Sequence, residues 1–261
     1  MARLTRIAGR AAASLACFLV VTQALQADGK VDPEAERYLK DSCRYLAGLR
    51  SFTFRVDETV DDVADDGQKL AYSDRRQVTI SRPNQLMIDS TGDTTDRSFA
   101  YDGKNVTLLD KEHSVYGTAK APDTIDAMLE DMHDRFGYTA PLADFLFSDP
   151  YRMLTEDVTS GTYLGLHHVR GVKCHHLAFR QKTIDWQIWI ATGDRPLPRK
   201  FVITYKREAS GPQYSATFTH WDVDAKPGDD TFELKPPEGA RKVSFIEAHE
   251  AATSSRKSHS K

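Results

Sequence analysis

The spacing of apolar residues predicts one helix at the start of the folded chain, followed by strands. Asp32 suits the N-cap of a helix because its carboxylate accepts from free backbone N–H groups, and Pro33 suits the first helical position. Gly48 fits the helix end. From about Ser51 apolar and polar residues alternate with a period of two, which indicates a β-strand. The apolar residues at helical spacing are Ala35, Tyr38, Leu39, Cys43 and Leu46.

Six consecutive strands with short turns, an antiparallel meander, are predicted after this helix. Arg82-Pro83-Asn84 and Asp102-Gly103 have the composition of turns, and the acidic residues 61–67 are typical of a solvated turn. The first strand begins at Ser51, and the others are predicted at about residues 69–81, 85–90, 97–101, 105–110 and 113–120.

A helical insert interrupts the strands. Residues 125–136 keep helical spacing before Gly137, which can end a helix, and residues 140–154 contain a short apolar helix around Phe145. Strands then resume. They are predicted at about residues 155–169, 173–180, 184–191, 199–206 and 214–222.

The predicted fold class is α+β, mainly β. About eleven antiparallel strands are more than a flat open sheet carries, so we expect a curled sheet or half-open barrel. The N-terminal helix precedes it, and the helical insert should lie as a lid on the concave face. Residues 28–247 would form this single domain, and residues 248–261 a disordered tail.

The N-terminus has the pattern of a secretory signal peptide. Arg3, Arg6 and Arg10 form a basic region, and the apolar run 11–21 is too short to span a bilayer. Small residues follow, so residues 1–27 are predicted to be cleaved off, with cleavage after Ala24 as an alternative. No other stretch reaches the length of a membrane span.

The net charge limits the classes of partner that the protein could bind, and the cysteines limit its redox chemistry. Loss of three arginines with the signal peptide takes the formal charge of the 261-residue chain from −3 to −6, which argues against nucleic acid. Cys43 and Cys174 remain in the mature chain. In an oxidising compartment they could form a disulfide, or they could be two buried thiols.

One segment, residues 185–205, is the most apolar hairpin of the chain. Its first strand places Trp186, Ile188 and Ile190 on one face and Trp189 on the other. The segment contains no serine and no histidine. A hairpin with this composition is suited to holding an apolar ligand.

The search for catalytic and metal-binding motifs yields one candidate. If Gly171 and Val172 form a turn, His167 lies opposite His176, and Cys174 points to the same face as His176. A zinc site needs three or four ligands, so these three residues are a candidate metal site. The alternative to a metal site is a set of histidines on a half-solvated sheet. No cofactor is predicted. No catalytic motif for a serine hydrolase, a zinc protease or a phosphate loop is found in the sequence.

Five short sequence blocks are shared with a known family. They are Tyr101-Asp102-Gly103-Lys104, Cys174-His175-His176-Leu177-Ala178-Phe179, Asp185-Trp186-Gln187-Ile188-Trp189-Ile190, Pro196-Leu197-Pro198-Arg199-Lys200, and Phe232-Glu233-Leu234 running into Pro236-Pro237-Glu238-Gly239-Ala240. With these blocks, residues 32–245 resemble the LolA/LolB-like superfamily of periplasmic lipoprotein carriers. The resemblance is closer to a group of predicted periplasmic proteins, a domain of unknown function, within that superfamily.

The resemblance implies a half-open barrel with a helical lid around an apolar cavity, and a periplasmic location. It also implies a single arginine, in the strand after the first hairpin, that latches the lid. Arg75 and Arg76 are adjacent candidates, and nothing local selects one of them.

Two interpretations of the apolar strand faces stay open: they fill the core, or some of them line a ligand cavity. The leading hypothesis is a non-enzymatic periplasmic carrier for a lipid, a lipoprotein acyl chain or another apolar ligand. The alternative is an interaction or stress-sensor module for a peptide or envelope protein, and a metal-dependent enzyme ranks last. The candidate ligand-binding residues are Phe54, Val56, Leu86, Ile88, Trp186, Ile188, Trp189 and Phe201.

Overall fold

The computed structural model describes residues 29–138 and 142–245. The predicted signal peptide (1–27) and tail (248–261) lie outside these residues and stay predictions. The three α-helices are α1 (Pro33–Gly48), α2 (Ile125–Phe136) and α3 (Pro150–Thr155). Two short 3-10 helices cover Ala143–Phe145 and Asp229–Phe232. Within the described ranges no helix is both long and apolar enough to cross a membrane.

Twelve strands form one open, curled sheet, which confirms the predicted mainly-β half-barrel. The strands of the first half are β1 (Ser51–Val63), β2 (Lys69–Ser81), β3 (Gln85–Gly92), β4 (Asp96–Tyr101), β5 (Asn105–Asp110) and β6 (Val115–Lys120). Those of the second half are β7 (Ser160–Val169), β8 (Val172–Arg180), β9 (Ile184–Ala191), β10 (Pro198–Tyr205), β11 (Gln213–Asp222) and β12 (Arg241–Lys242).

The strand order shows two antiparallel meanders joined at their first and last strands. From one edge to the other it is β12-β6-β5-β4-β3-β2-β1-β11-β10-β9-β8-β7. The junction is the antiparallel pair β1–β11, in which Val56 lies opposite Phe218. The helical insert leaves the sheet at one edge, after β6, and returns at the other edge, before β7. The insert therefore spans the curled sheet from edge to edge.

Two strand starts differ from the sequence prediction by more than one residue, and one short strand was not predicted. The strand predicted from residue 155 begins at Ser160, because α3 extends to Thr155 after Asp149 caps its start by accepting from Arg152 N–H at 3.0 Å. Strand β6 begins at Val115 rather than at residue 113. The twelfth strand, β12, is a two-residue parallel addition to β6, too short for a periodic signal.

Local capping explains where the helices begin and end. Asp32 accepts from Glu34 N–H at 2.8 Å, so the predicted N-cap of α1 is confirmed. Its C-cap, however, is Leu49 in an extended conformation, so Gly48 is the last helical residue. Gly137 ends α2 with φ of 65°, a left-handed conformation that costs glycine little.

The inner face of the sheet is the face that packs against the helices. The core lies between this face and the helices. Along β1 the even-numbered residues from Phe52 to Glu58 are buried and the odd-numbered ones are more exposed. Phe145 of the insert contacts the rings of Phe201 and Phe218, with centroids 5.2 and 5.7 Å away. Both helices and strands therefore contribute to one continuous core.

The two cysteines among the described residues form no disulfide. Cys43 on α1 and Cys174 on β8 are both free and buried. Burial raises the pKa of the Cys43 thiol to about 12 and also raises the pKa of Cys174. Of the two alternatives that the sequence left open, the structure shows the pair of buried thiols.

Leu177 and Leu166 provide a matched test of the core, because both belong to the β7–β8 hairpin. Leu177 is fully buried, whereas Leu166 is 45% exposed. We expect Leu177→Ala to lower the free energy of unfolding by about 2–5 kcal/mol, since it removes buried methyl groups and leaves a cavity. Leu166→Ala should change it by less than about 0.5 kcal/mol. Urea denaturation measures both, and equal losses would contradict the described core.

Candidate functional site

An apolar cavity of about 620 Å³ lies between the helical insert and the ends of two strands. Its walls come from α2, from the segment around the 3-10 helix Ala143–Phe145, from α3, and from β9 and β10. The apolar lining residues are Leu129, Ala143, Phe147, Met153, Ile184 and Ile203. Tyr138 and Tyr205 add aromatic surface. Pockets of this volume are of the size that binds small apolar ligands.

Two smaller cavities adjoin the apolar one. A cavity of about 160 Å³ shares Asp144, Met153, Ile184 and Ile203 with it. Another, of about 260 Å³, shares Tyr138 and lies against β2–β5. The main cavity therefore shares lining residues with both of the smaller ones.

Arg82 joins the end of β2 to the insert. We call residues 142–149, which contain the 3-10 helix, the lid segment. Arg82 follows β2 directly, and its guanidinium donates to the carbonyl oxygens of Leu146 at 2.9 Å and Phe147 at 3.1 Å. Ser148 N–H donates to the Asp126 carboxylate of α2 at 2.9 Å, which ties the lid segment to the neighbouring helix. The lid segment is thus attached to the sheet at one side and to α2 at the other.

The arginine that contacts the lid segment is Arg82, and not Arg75 or Arg76, which were the candidates from the sequence. Arg75 points to the outer face of the sheet and pairs with Asp57 at 2.8 Å. Arg76 points inward and lies 3.1 Å from Glu58, whose side chain is only 1% exposed. Neither of them contacts the described lid residues through a hydrogen bond. Arg82 can reach the lid segment because it lies directly after the end of β2. The periodic pattern of apolar residues gives no signal for such a position.

Glu58, Arg76 and Tyr214 form a buried polar cluster on the inner face. Burial raises the pKa of the Glu58 carboxyl, and the Arg76 charge opposes that rise. The Arg76 Nε–H does not point at the carboxylate, so this pair is a Coulomb contact rather than an aligned hydrogen bond. Burial also raises the pKa of Tyr214. A buried, imperfectly paired charge of this kind costs stability.

The structure distributes the predicted ligand-binding residues over several environments. Six of them are buried by neighbouring side chains in the core: Phe54, Val56, Leu86, Trp186, Ile188 and Phe201. Trp186 and Phe201 also line the 160 Å³ cavity, and Ile88 lines the 260 Å³ cavity. The lining of the main cavity comes largely from the insert, which was predicted as a lid but contributed none of the predicted ligand-binding residues.

Trp189 lies on the outer face of the sheet, away from these cavities. Its ring stacks on His176 with centroids 3.9 Å apart, and Lys200 Nζ lies 5.0 Å from its centroid. The prediction that Trp186, Ile188 and Ile190 face one side and Trp189 the other is confirmed by the burial of the first three. Trp189 lines an outer cleft of about 550 Å³ instead.

The register assumed for the histidine hairpin was wrong. Val169 pairs with Val172, so Arg170 and Gly171 form the turn, with φ of 48° and 83°. Positive φ at both central residues fits the twist of a two-residue hairpin turn. Because the turn is shifted by one residue, His167 lies opposite Cys174 and not opposite His176.

The candidate metal ligands are engaged in hydrogen bonds with protein groups. His167 Nδ1 and His176 Nδ1 are 2.8 Å apart, and His176 Nε2 lies 3.0 Å from Gln187 Oε1. If Nε2–H donates to Gln187, the His176 Nδ1 accepts from His167, which fits a neutral His176 ring. The Cys174 thiol donates to the Val172 carbonyl. Among the described residues no group of three or more potential ligands is arranged for a metal.

The burial of His176 predicts that the folded protein becomes less stable as the pH falls. Burial lowers its pKa below the ordinary value of 6.5. The unfolded chain then binds this proton more tightly than the folded protein does. The free energy of unfolding should therefore be unaffected above pH 6.5 and fall as the pH drops below it toward the folded pKa. We expect His176→Gln to reduce this loss, and His168→Gln, on the exposed end of β7, to leave it unchanged. Urea denaturation across this pH range measures the effect, and identical slopes in the two variants would contradict it.

The two hydrogen bonds of Arg82 predict that removal of its side chain loosens the lid segment. Arg82→Ala removes two charge-assisted hydrogen bonds and should speed amide hydrogen exchange in residues 142–149. Arg75→Ala is the matched control, because it removes an arginine that is 59% exposed on the outer face. Exchange measured by mass spectrometry should rise only in the first variant. Unchanged exchange in Arg82→Ala would show that the lid segment is held by packing alone.

Solved structures show where this fold has been seen before. The chain is similar to an uncharacterized conserved protein of Thermus thermophilus, with 9% identity, a TM-score of 0.50, and coverage of 81% of this chain and 99% of the other. LprF of Mycobacterium bovis has 14% identity, a TM-score of 0.45, and coverage of 81% and 100%. A LolA superfamily protein of Nitrosomonas europaea has 12% identity, a TM-score of 0.40, and coverage of 77% and 97%. At these identities the likeness concerns the fold alone.

Sequence comparison identifies the family. No curated protein matches the chain significantly. The family model described as Predicted periplasmic protein (DUF2092) matches residues 35–246, nearly the whole described fold. The resemblance inferred from the five sequence blocks is confirmed, and the periplasmic location with it. The protein belongs to this family of predicted periplasmic proteins.

Proposed function

We propose that the protein is a non-enzymatic periplasmic carrier that binds the apolar chain of a lipid or lipoprotein in the 620 Å³ cavity. The observation that supports this most strongly is the cavity itself, a half-open apolar space between the insert and β9–β10. Each methylene that a ligand buries there would contribute about 0.8 kcal/mol. An acyl chain could therefore bind tightly through surface burial alone.

The chemistry of the lining favours binding over catalysis. Among its described residues there is no serine, threonine or cysteine, so an acyl-transfer nucleophile is not provided there. The polar groups are carboxylates, tyrosines and His133. An apolar wall with a few polar groups is typical of a site that orients a ligand.

The lid segment offers a route for loading and release. It covers the cavity through Ala143, Asp144 and Phe147, and its attachment by Arg82 and Asp126 rests on few hydrogen bonds. Its side chains Leu142, Phe145, Leu146 and Phe147 are buried, so opening also requires breaking their contacts. We expect a ligand to enter when the lid segment moves away from β9 and β10.

Filling the cavity tests the proposal. Ala143→Phe places a ring in the cavity wall, and Ala71→Phe adds the same ring at an exposed position of β2. The probe is N-phenyl-1-naphthylamine, a neutral dye that fluoresces in apolar surroundings. We expect the wild type and Ala71→Phe to bind it, and Ala143→Phe to bind at least about tenfold more weakly, which corresponds to about 1.4 kcal/mol.

Organic extracts of protein purified from its native source provide a second measurement. Mass spectrometry should detect a co-purifying lipid in wild-type extracts and less of it in Ala143→Phe extracts. Absence of lipid together with absence of dye binding by the wild type would refute the carrier function.

A further inference from the structure

The polar groups that line the main cavity and its 160 Å³ neighbour are predominantly acidic. Five carboxylates belong to the two linings: Glu130, Asp134, Asp144, Glu156 and Asp157. No lysine or arginine is present among the described lining residues of either cavity, and His133 is the basic group present. Asp144 is the partly buried member of this set, and the other four are exposed residues that contribute to the lining.

Asp144 is the central group of this set, because it lines both cavities. It lies in the 3-10 helix of the lid segment, and burial raises the pKa of its carboxyl. It forms no hydrogen bond or ion pair with another described residue. A ligand that brings a positive charge would supply the partner that this carboxylate lacks, and a ligand that brings a negative charge would add repulsion.

This acidity is a local property and does not follow from the charge of the whole chain. The chain has 35 basic and 38 acidic residues, which is nearly balanced. The outer cleft contains Arg170 and Lys200 as well as Asp57, and the 260 Å³ cavity contains Arg76 and Arg97 as well as Asp74. The main cavity and its 160 Å³ neighbour differ from both in having carboxylates without lysine or arginine.

We propose that the ligand is a cationic amphiphile, an apolar chain that ends in an amine. The chain would lie against Ile184, Ile203 and Met153, and the ammonium group would lie among the carboxylates near Asp144. This proposal rests on the proposed function, because it specifies which apolar ligand the same cavity takes. It excludes free fatty acids and lipids with an anionic headgroup as preferred ligands.

Displacement of N-phenyl-1-naphthylamine by three compounds tests the proposal at neutral pH. The compounds are an alkyl amine, the alcohol and the carboxylate of the same chain length, all used below their micelle-forming concentrations. We expect the amine to displace the dye at a concentration at least about tenfold lower than the carboxylate, with the alcohol between them. The preference should weaken as salt is added, since salt screens the charges.

Two variants connect the preference to the lining. Asp144→Asn should reduce the ratio of amine to carboxylate affinity at least about threefold and leave the alcohol nearly unchanged, because only the charge is removed. Glu130→Gln, at an exposed position on α2, tests the same effect in a variant that does not alter a buried group. Asp224→Asn is the control, because it removes one negative charge from a side chain that is 82% exposed outside the cavity lining.

The outcomes separate the two proposals. If the wild type binds no dye and its native extracts contain no lipid, the carrier function fails. If it binds the dye but releases it equally to all three compounds, or first to the carboxylate, the cation preference is wrong and the carrier function stands. A preference for the amine that is the same in Asp144→Asn, Glu130→Gln and Asp224→Asn would also overturn the assignment to these carboxylates.

Discussion

The pairing of β1 with β11, two strands more than a hundred residues apart in the chain, holds the two meanders together. Without it each meander would be a smaller sheet with a free edge, and neither would curl far enough to enclose a space. The pairing also places Phe54 and Phe218 side by side, with ring centroids 5.6 Å apart, at the middle of the inner face. The insert packs on this aromatic centre through Phe145, so the position of the lid segment depends on the junction.

The route of the chain explains why the cavity lies where it does. The insert must pass from β6 at one edge to β7 at the other, and it crosses the inner face on the way. Its helices are amphipathic, so their apolar sides turn to the sheet. Side chains fill the middle of the inner face, whereas at the ends of β9 and β10 the helices and strands diverge and leave the 620 Å³ space.

The sequence was sufficient for the class and the order of the elements, because period-two alternation and turn residues are local signals. Trp186, Ile188 and Ile190 were placed on one face for that reason. The cavity wall was not predictable, because it depends on where α2 and the lid segment lie over β9 and β10. Arg82 was missed since its partners are carbonyl oxygens, which leave no trace in side-chain patterns. The hairpin register failed because Arg170 occupies a positive-φ position that asparagine or glycine usually marks.

The proposed exchange of ligand depends on the contacts between the lid segment and the core. The buried side chains of β1, β8 and β9 belong to a continuous core, and opening that core would cost much of the folding free energy. The lid segment is held by Arg82, by Asp126 and by its own buried side chains, including Phe145, so it can move only when these contacts are broken. Asp144 moves with it. A ligand amine that pairs with this carboxylate would therefore hold the lid segment closed, so loading would itself stabilise the closed state.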